Sequence, residues 1–183
     1  MLQPLSLCQS ILAFGDSLTF GYGADKDQSY PAQLSKLIHM KVINEGINGE
    51  LSREGLLRLK PLLNNYQPQL LLLCHGANDI LQKLDHDKMA ANLRAMTKLA
   101  QDKNIQVIMI AVPDINTSLT PLKQYQQVAE QMNIIVENNL LSNLLNQPSL
   151  HIDNIHPNHL GYQKMAEAIA NLLTAHGAIN NEE

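Results

Sequence analysis

The chain of 183 residues has two cysteines, a formal net charge of −4, and no apolar run approaching the ~20 residues that a membrane-spanning helix needs. Each scarcity excludes something. Cys8 and Cys74 lie in different apolar segments and are too few for a disulfide framework in a domain of this size. Both read as small buried hydrophobes, which leans toward a reducing compartment. The negative balance leaves no electrostatic footprint for nucleic acid or an anionic membrane surface. The opening "MLQPLSLCQS" has neither lysine nor arginine, so the basic region of a secretory signal is missing. A cytoplasmic protein is therefore expected, or a periplasmic one from whose chain a leader has been removed. No internal repeat, low-complexity tract or linker interrupts the chain, and its length suits one domain, 1–183, acting as a monomer.

What is present is a globular composition, 45 % apolar and 16 % charged. Continuous apolar runs at 69–74 ("QLLLLC") and 106–112 ("QVIMIAV") have the character of parallel strands covered on both faces. Further strands are predicted at 10–14 and 41–45, and a fifth around 150–153. Helical spacing lies between them: Leu34, Leu37 and Ile38; Leu56, Leu59 and Leu63 behind Ser52 as N-cap; Met89, Leu93, Met96 and Ala100. Two more helices are predicted between the fourth strand and the fifth, and a closing helix stops at Gly177. Alternating strands and helices predict a flavodoxin-like three-layer α/β/α fold with a five-stranded parallel sheet in the order 2-1-3-4-5. The polar tail "INNEE" is expected to fray.

The chemistry stands just past the strands. In "ILAFGDSLTF" an apolar strand runs into Gly-Asp-Ser and leaves Ser17 at the tip of the turn. Asn48-Gly49 follows the second strand and Asn78-Asp79 the third; in the predicted order these three strands are neighbours. Ser17, Gly49 and Asn78 therefore share one corner of the sheet edge. A serine hydroxyl becomes a nucleophile when a base removes its proton. The tetrahedral oxyanion that follows wants donors already in place, and the N–H groups of Ser17 and Gly49 with the Asn78 side-chain amide supply three. Asp153 and His156, three residues apart, have the spacing for a carboxylate that orients an imidazole and leaves Nε2 free as base. A fifth strand at 150–153 would hold that pair ~14 Å from the first strand, so its loop must fold back over the edge. Asp16 is read as bonding loop N–H groups, Asp79 as a helix cap, and Pro157 as part of the closing helix's first turn.

"GDSLT", "NG", "GAND" and "DNIHP", in this order and at these strand ends, resemble the four blocks of the SGNH hydrolases, the GDSL esterases and lipases. The resemblance spans nearly the whole chain and is greatest to the bacterial branch of acyl-CoA thioesterase I (lysophospholipase L1) and arylesterases. It implies a serine hydrolase of carboxylic esters or thioesters with a Ser17–His156–Asp153 triad and an oxyanion hole of Ser17, Gly49 and Asn78. It implies no cofactor, and a small acyl ester or thioester as substrate. A carbohydrate or small-molecule acetylesterase of the same family is the nearest alternative, and a non-catalytic flavodoxin-like binder a more distant one. Residues 113–147, where that branch builds part of its acyl-binding surface, diverge most.

Other patterns point to blander roles. His151, Asp153, His156 and His159 have a spacing that suggests a metal, but the triad already uses two of them. Cys74 and His75, adjacent at a strand end, read as core and rim. "GYG" at 21–23 lacks the spacing and lysine of a phosphate loop and reads as the mouth of the site, with Tyr22 as a substrate contact.

Overall fold

Residues 1–6 and 8–179 are described by a computed structural model; the tail from residue 180 onward lies outside them. Five parallel strands form one sheet: β1 Ser10–Gly15, β2 Lys41–Gly46, β3 Leu70–Cys74, β4 Gln106–Ile110 and β5 Ile135–Glu137, in the order β2-β1-β3-β4-β5. The apolar runs of β1 and β3 are buried along their whole length, as residues covered on both faces must be. The helices are α1 Ser17–Phe20, α2 Tyr30–Leu37, α3 Ser52–Tyr66, α4 Ala77–Leu81, α5 His86–Gln101, α6 Lys123–Met132, α7 Leu140–Leu145 and α8 His159–Ala175. The α3, α5 and α6 helices pack together on one face of the sheet, and α2, α7 and α8 on the other. Leu34 is buried on α2, whereas Leu37, predicted for the same stripe, is half exposed.

Register decides where the chemistry goes. Gly15, the last residue of β1, is level with Gly46 of β2 and with Cys74 of β3. Three chain segments consequently leave the sheet at one height, side by side: 16–17, 47–50 and 75–78. That is the corner predicted from topology.

The fifth strand is not where the sequence suggested. Residues 148–150 form a 3-10 turn, and the next segment makes only an isolated bridge between His151 and Pro157; the sheet's fifth strand is Ile135–Glu137. This removes the reach problem for His156. Its loop does not leave the far edge of the sheet but precedes α8, which packs against α2 beside the β1 end. Gln33 Nε2 donates to His159 O at 3.2 Å, and the Tyr162 hydroxyl donates to Tyr22 O at 2.9 Å. Asn158 caps α8, accepting from the N–H groups of Leu160 and Gly161, so Pro157 precedes the helix and is not in its first turn. Gly177, at φ +75°, follows the last turn as predicted.

Three fully buried tyrosines anchor the loops at this edge. Besides Tyr162, the Tyr125 hydroxyl donates to His75 O at 2.8 Å, and the Tyr30 hydroxyl pairs with Thr19 Oγ1 at 3.3 Å. Burial pushes all three phenols above their ordinary pKa, so they stay protonated and available as donors.

Candidate active site

Ser17 is the first residue of α1, immediately after the β1 turn, and is buried apart from its edge. Asp16 caps this short helix, with Oδ1 accepting from Leu18 N at 3.1 Å. Its Oδ2 accepts from Ala77 N, also at 3.1 Å. The predicted role of Asp16 as a brace for loop N–H groups is what the geometry shows. Burial raises its carboxyl pKa, against the two backbone hydrogen bonds, which lower it.

His156 lies beside Ser17. Its Nε2 stands 3.0 Å from Ser17 Oγ, and its Nδ1 stands 2.8 Å from Asp153 Oδ2. A carboxylate can only accept, which puts the proton on Nδ1 and leaves Nε2 to receive the serine hydroxyl proton. Asp153 Oδ1 also accepts from the backbone N–H groups of Ile155 and His156, each at 2.8 Å. Burial alone would raise the Asp153 pKa, but these hydrogen bonds and the imidazole bring it below the usual carboxylate value. The small loop is closed by the His151–Pro157 bridge and by Ile152 N donating to His156 O at 2.9 Å. Tyr22, half exposed, lays its ring beside the imidazole with centroids 4.5 Å apart.

Gly49 and Asn78 occupy the adjacent turns. Gly49 has φ +77°, in the left-handed region where a side chain is strained, and a Cβ there would meet open space. Asn78, in the first turn of α4, donates from Nδ2 to Glu50 O at 3.0 Å. This bond ties the Asn78 amide to the Gly49 turn, as Asp16 ties the Ser17 turn to α4. Ser17, at the start of a helix, has an N–H with no acceptor in its own helix. Among the described residues the Gly49 N–H is likewise not donated to any protein acceptor. Asp79 does not cap a following helix; it accepts from Ser52 N at 2.8 Å and Ser52 Oγ at 2.7 Å, holding the start of α3. Ser52 is thus the first helical residue and Leu51 the N-cap.

Sequence reasoning missed a polar group behind the Gly49 turn: Glu50 and His75, both buried, and Arg58, partly buried. His75, predicted at a rim, is fully buried, while Cys8, predicted in the core, is exposed. The one signal available was Glu50 itself, an acidic residue directly after the Asn-Gly turn. Among the described residues no three His, Cys, Asp or Glu side chains are placed to hold a metal ion, and no helix is long and apolar enough to cross a membrane. His151 instead directs Nδ1 to Asp153 O at 2.7 Å.

Similarity to known proteins identifies the family. The profile of the GDSL-like Lipase/Acylhydrolase family matches residues 13–164. An arylesterase of Vibrio mimicus is 28 % identical over 179 residues, covering 92 % of this chain and 90 % of that protein. The thioesterase 1/protease 1/lysophospholipase L1 of Escherichia coli is 30 % identical over 105 residues, 56 % of this chain and 50 % of that protein. The psychrotrophic esterase EstA from Pseudoalteromonas sp., in a crystal inhibited by monoethylphosphonate, superposes with a TM-score of 0.79 at 26 % identity, over 91 % of this chain and 99 % of that one. The chain therefore belongs to the GDSL-like lipase/acylhydrolase family and is an ester hydrolase.

Proposed function

We propose that this chain cleaves small carboxylic esters and thioesters by acyl transfer to Ser17, with His156 as base and Asp153 as its orienting carboxylate. The observation that carries the reading is the 3.0 Å contact between Ser17 Oγ and His156 Nε2, with Asp153 at 2.8 Å behind it. Ser17 Oγ attacks the acyl carbon as its proton passes to Nε2. The resulting imidazolium is stabilised by Asp153. The oxyanion is received by the N–H groups of Ser17 and Gly49 and by the Asn78 amide. Collapse breaks the bond to the leaving oxygen or sulfur, which takes the proton from His156. Water then attacks the acyl-serine as His156 accepts its proton, and as the acyl–Oγ bond breaks His156 returns that proton to Ser17 Oγ and the carboxylic acid leaves.

All parts of this site come from the edge of one sheet, which supports one domain over residues 1–183. An arylesterase and a thioesterase/lysophospholipase among the relatives support both oxygen and sulfur leaving groups.

The test is Ser17→Ala on p-nitrophenyl acetate and on acetyl-CoA. Loss of roughly 10⁴-fold or more in kcat is expected for a residue of this kind. A p-nitrophenyl alkylphosphonate should add one phosphonyl group to Ser17 in the wild type and none to the variant, read by mass spectrometry. Retained turnover, or labelling at another residue, would overturn the assignment.

A further inference from the structure

Behind the Gly49 turn lie two buried polar side chains, Glu50 and His75, and a partly buried one, Arg58, that acyl transfer does not use. The Glu50 carboxylate accepts from Arg58 Nε at 2.5 Å and from Arg58 Nη2 at 2.8 Å, and its Oε2 faces His75 Nε2 at 3.0 Å. Gly76 N–H donates to His75 Nδ1 at 3.0 Å. Nδ1 is thus the acceptor, the ring proton sits on Nε2, and Nε2–H donates to Glu50. Arg58 is itself fixed. Its guanidinium lies 4.1 Å over the Phe14 ring, and Nη2 also donates to Glu45 O at 2.8 Å and Gly15 O at 3.3 Å, the ends of two strands. Glu50 continues to the oxyanion donors: its backbone carbonyl receives the Asn78 amide at 3.0 Å, and its peptide follows Gly49.

Stability is a weak reason for such a cluster, because a buried ion pair loses in desolvation much of what it gains in attraction. The chain also gives up a helical side chain to make room for it. Gly55 is buried within α3, and a Cβ there would lie 2.4 Å from His75 Nε2 and 3.3 Å from Glu50 Oε2. What the cluster does supply is direction. An asparagine amide has two N–H bonds; engaging one fixes the plane of the group and commits the other. Donors aimed in advance need no rearrangement when charge develops, and a loose supporting shell forfeits that advantage.

We propose that Glu50, gripped by Arg58 and His75, is a positioning residue that aims the Asn78 amide and holds the Gly49 peptide for the oxyanion. This rests on the assignment of Gly49 and Asn78 to that role. Glu50→Gln turns an acceptor into a donor against either Arg58 or His75 Nε2–H. His75 cannot shift its proton to Nδ1 without meeting the Gly76 N–H.

The experiment is a double-mutant cycle on p-nitrophenyl acetate, with folding checked by circular dichroism and thermal melting. Glu50→Gln should lower kcat roughly tenfold with KM within about twofold, part of the 10²–10³ that loss of a whole oxyanion donor costs. In an Asn78→Ala background the same change should cost less than about twofold, because the group it aims is gone. Arg58→Lys, which keeps the cation but loses the two-pronged grip, should behave alike and serves where Glu50→Gln does not fold. Equal losses with and without Asn78, or an effect confined to KM, would overturn the positioning role. Failure of both variants to fold would assign the cluster to folding and overturn it too. If Asn78→Ala leaves kcat unchanged, the oxyanion assignment itself falls, and the positioning role with it. A full loss on Asn78→Ala with multiplying losses at Glu50 removes the positioning role alone.

Discussion

Asp16 and Ala77, 61 residues apart, are joined by one hydrogen bond of 3.1 Å that fastens the Ser17 turn to the helix carrying Asn78. The other carboxylate oxygen holds Leu18 N. Asparagine in this place has one carbonyl oxygen for two backbone donors, and its NH₂ meets the second donor head-on. A buried N–H left without an acceptor costs about 1–3 kcal/mol, partly offset because Asp16→Asn also removes a carboxylate whose pKa burial has raised. Asp16→Asn is expected to lower unfolding free energy by about 1–2 kcal/mol in urea melts at pH 7, and to lower kcat as two turns loosen. An unchanged midpoint with unchanged kcat would remove Asp16 from this bracing role.

The acid limb of the pH profile should carry one proton. Asp153 keeps its charge below the ordinary carboxylate range, because its three hydrogen bonds outweigh its partial burial. On the proposed mechanism, the one further proton that stops turnover is one that occupies Nε2 in place of the serine proton. In the Asp16→Asn variant, which lacks the carboxyl that burial raises, the log of kcat/KM should fall with unit slope and steepen only below about pH 4, where free carboxylates titrate. Stability follows the same sign: the folded pKa of Asp153 is depressed, so its contribution is complete above about pH 4 and is lost only as pH falls through the lowered value. A slope of two above pH 4 in that variant would show that Asp153 titrates with the imidazole.

The parts of the molecule legible from sequence are those decided locally. β1, β3 and β4 announce themselves as apolar runs, and three short polar turns follow strands that topology makes neighbours. β5 was not legible: "IVE" is three half-buried residues with no periodicity to read. The alternating "LHID" at 150–153 imitates a strand, yet this segment belongs to a loop closed upon itself. The Asp153–His156 pairing is local and could be read, but its approach to Ser17 depends on α8 packing against α2, a long-range event. Likewise Ser52 looks like a cap until Asp79 claims its hydroxyl, and His75 looks like a rim residue until Gly55 makes room for it.

Tyr22 contributes a ring and not a hydroxyl to the site. Its ring lies 4.5 Å from the imidazole of His156 at an angle of 47°, while its backbone carbonyl is held by Tyr162. Tyr22→Phe keeps that ring and should leave kcat/KM for p-nitrophenyl butyrate within about twofold. Tyr22→Ala exposes the imidazole and removes a tilted aromatic contact of about 0.5–1.5 kcal/mol, so a fall of roughly two- to tenfold is expected. Equal losses in both variants would shift the role to the phenol.

Gly55→Ala sets two effects of opposite sign against each other. In the interior of an exposed helix, alanine is favoured over glycine by about 1 kcal/mol. Here the added methyl would stand 2.4 Å from Nε2 of a fully buried ring and 3.3 Å from the Glu50 carboxylate. The ring cannot swing away, because Nδ1 is held by Gly76 and Nε2 by Glu50. Either α3 must move off the sheet or the His75–Glu50 bond must break, and overpacking of this kind costs about 1–3 kcal/mol. Destabilisation therefore wins. Thermal melts should place Gly55→Ala below the wild type by several degrees, whereas a raised melting temperature would mean that the helix and the buried pair have more room than these distances allow.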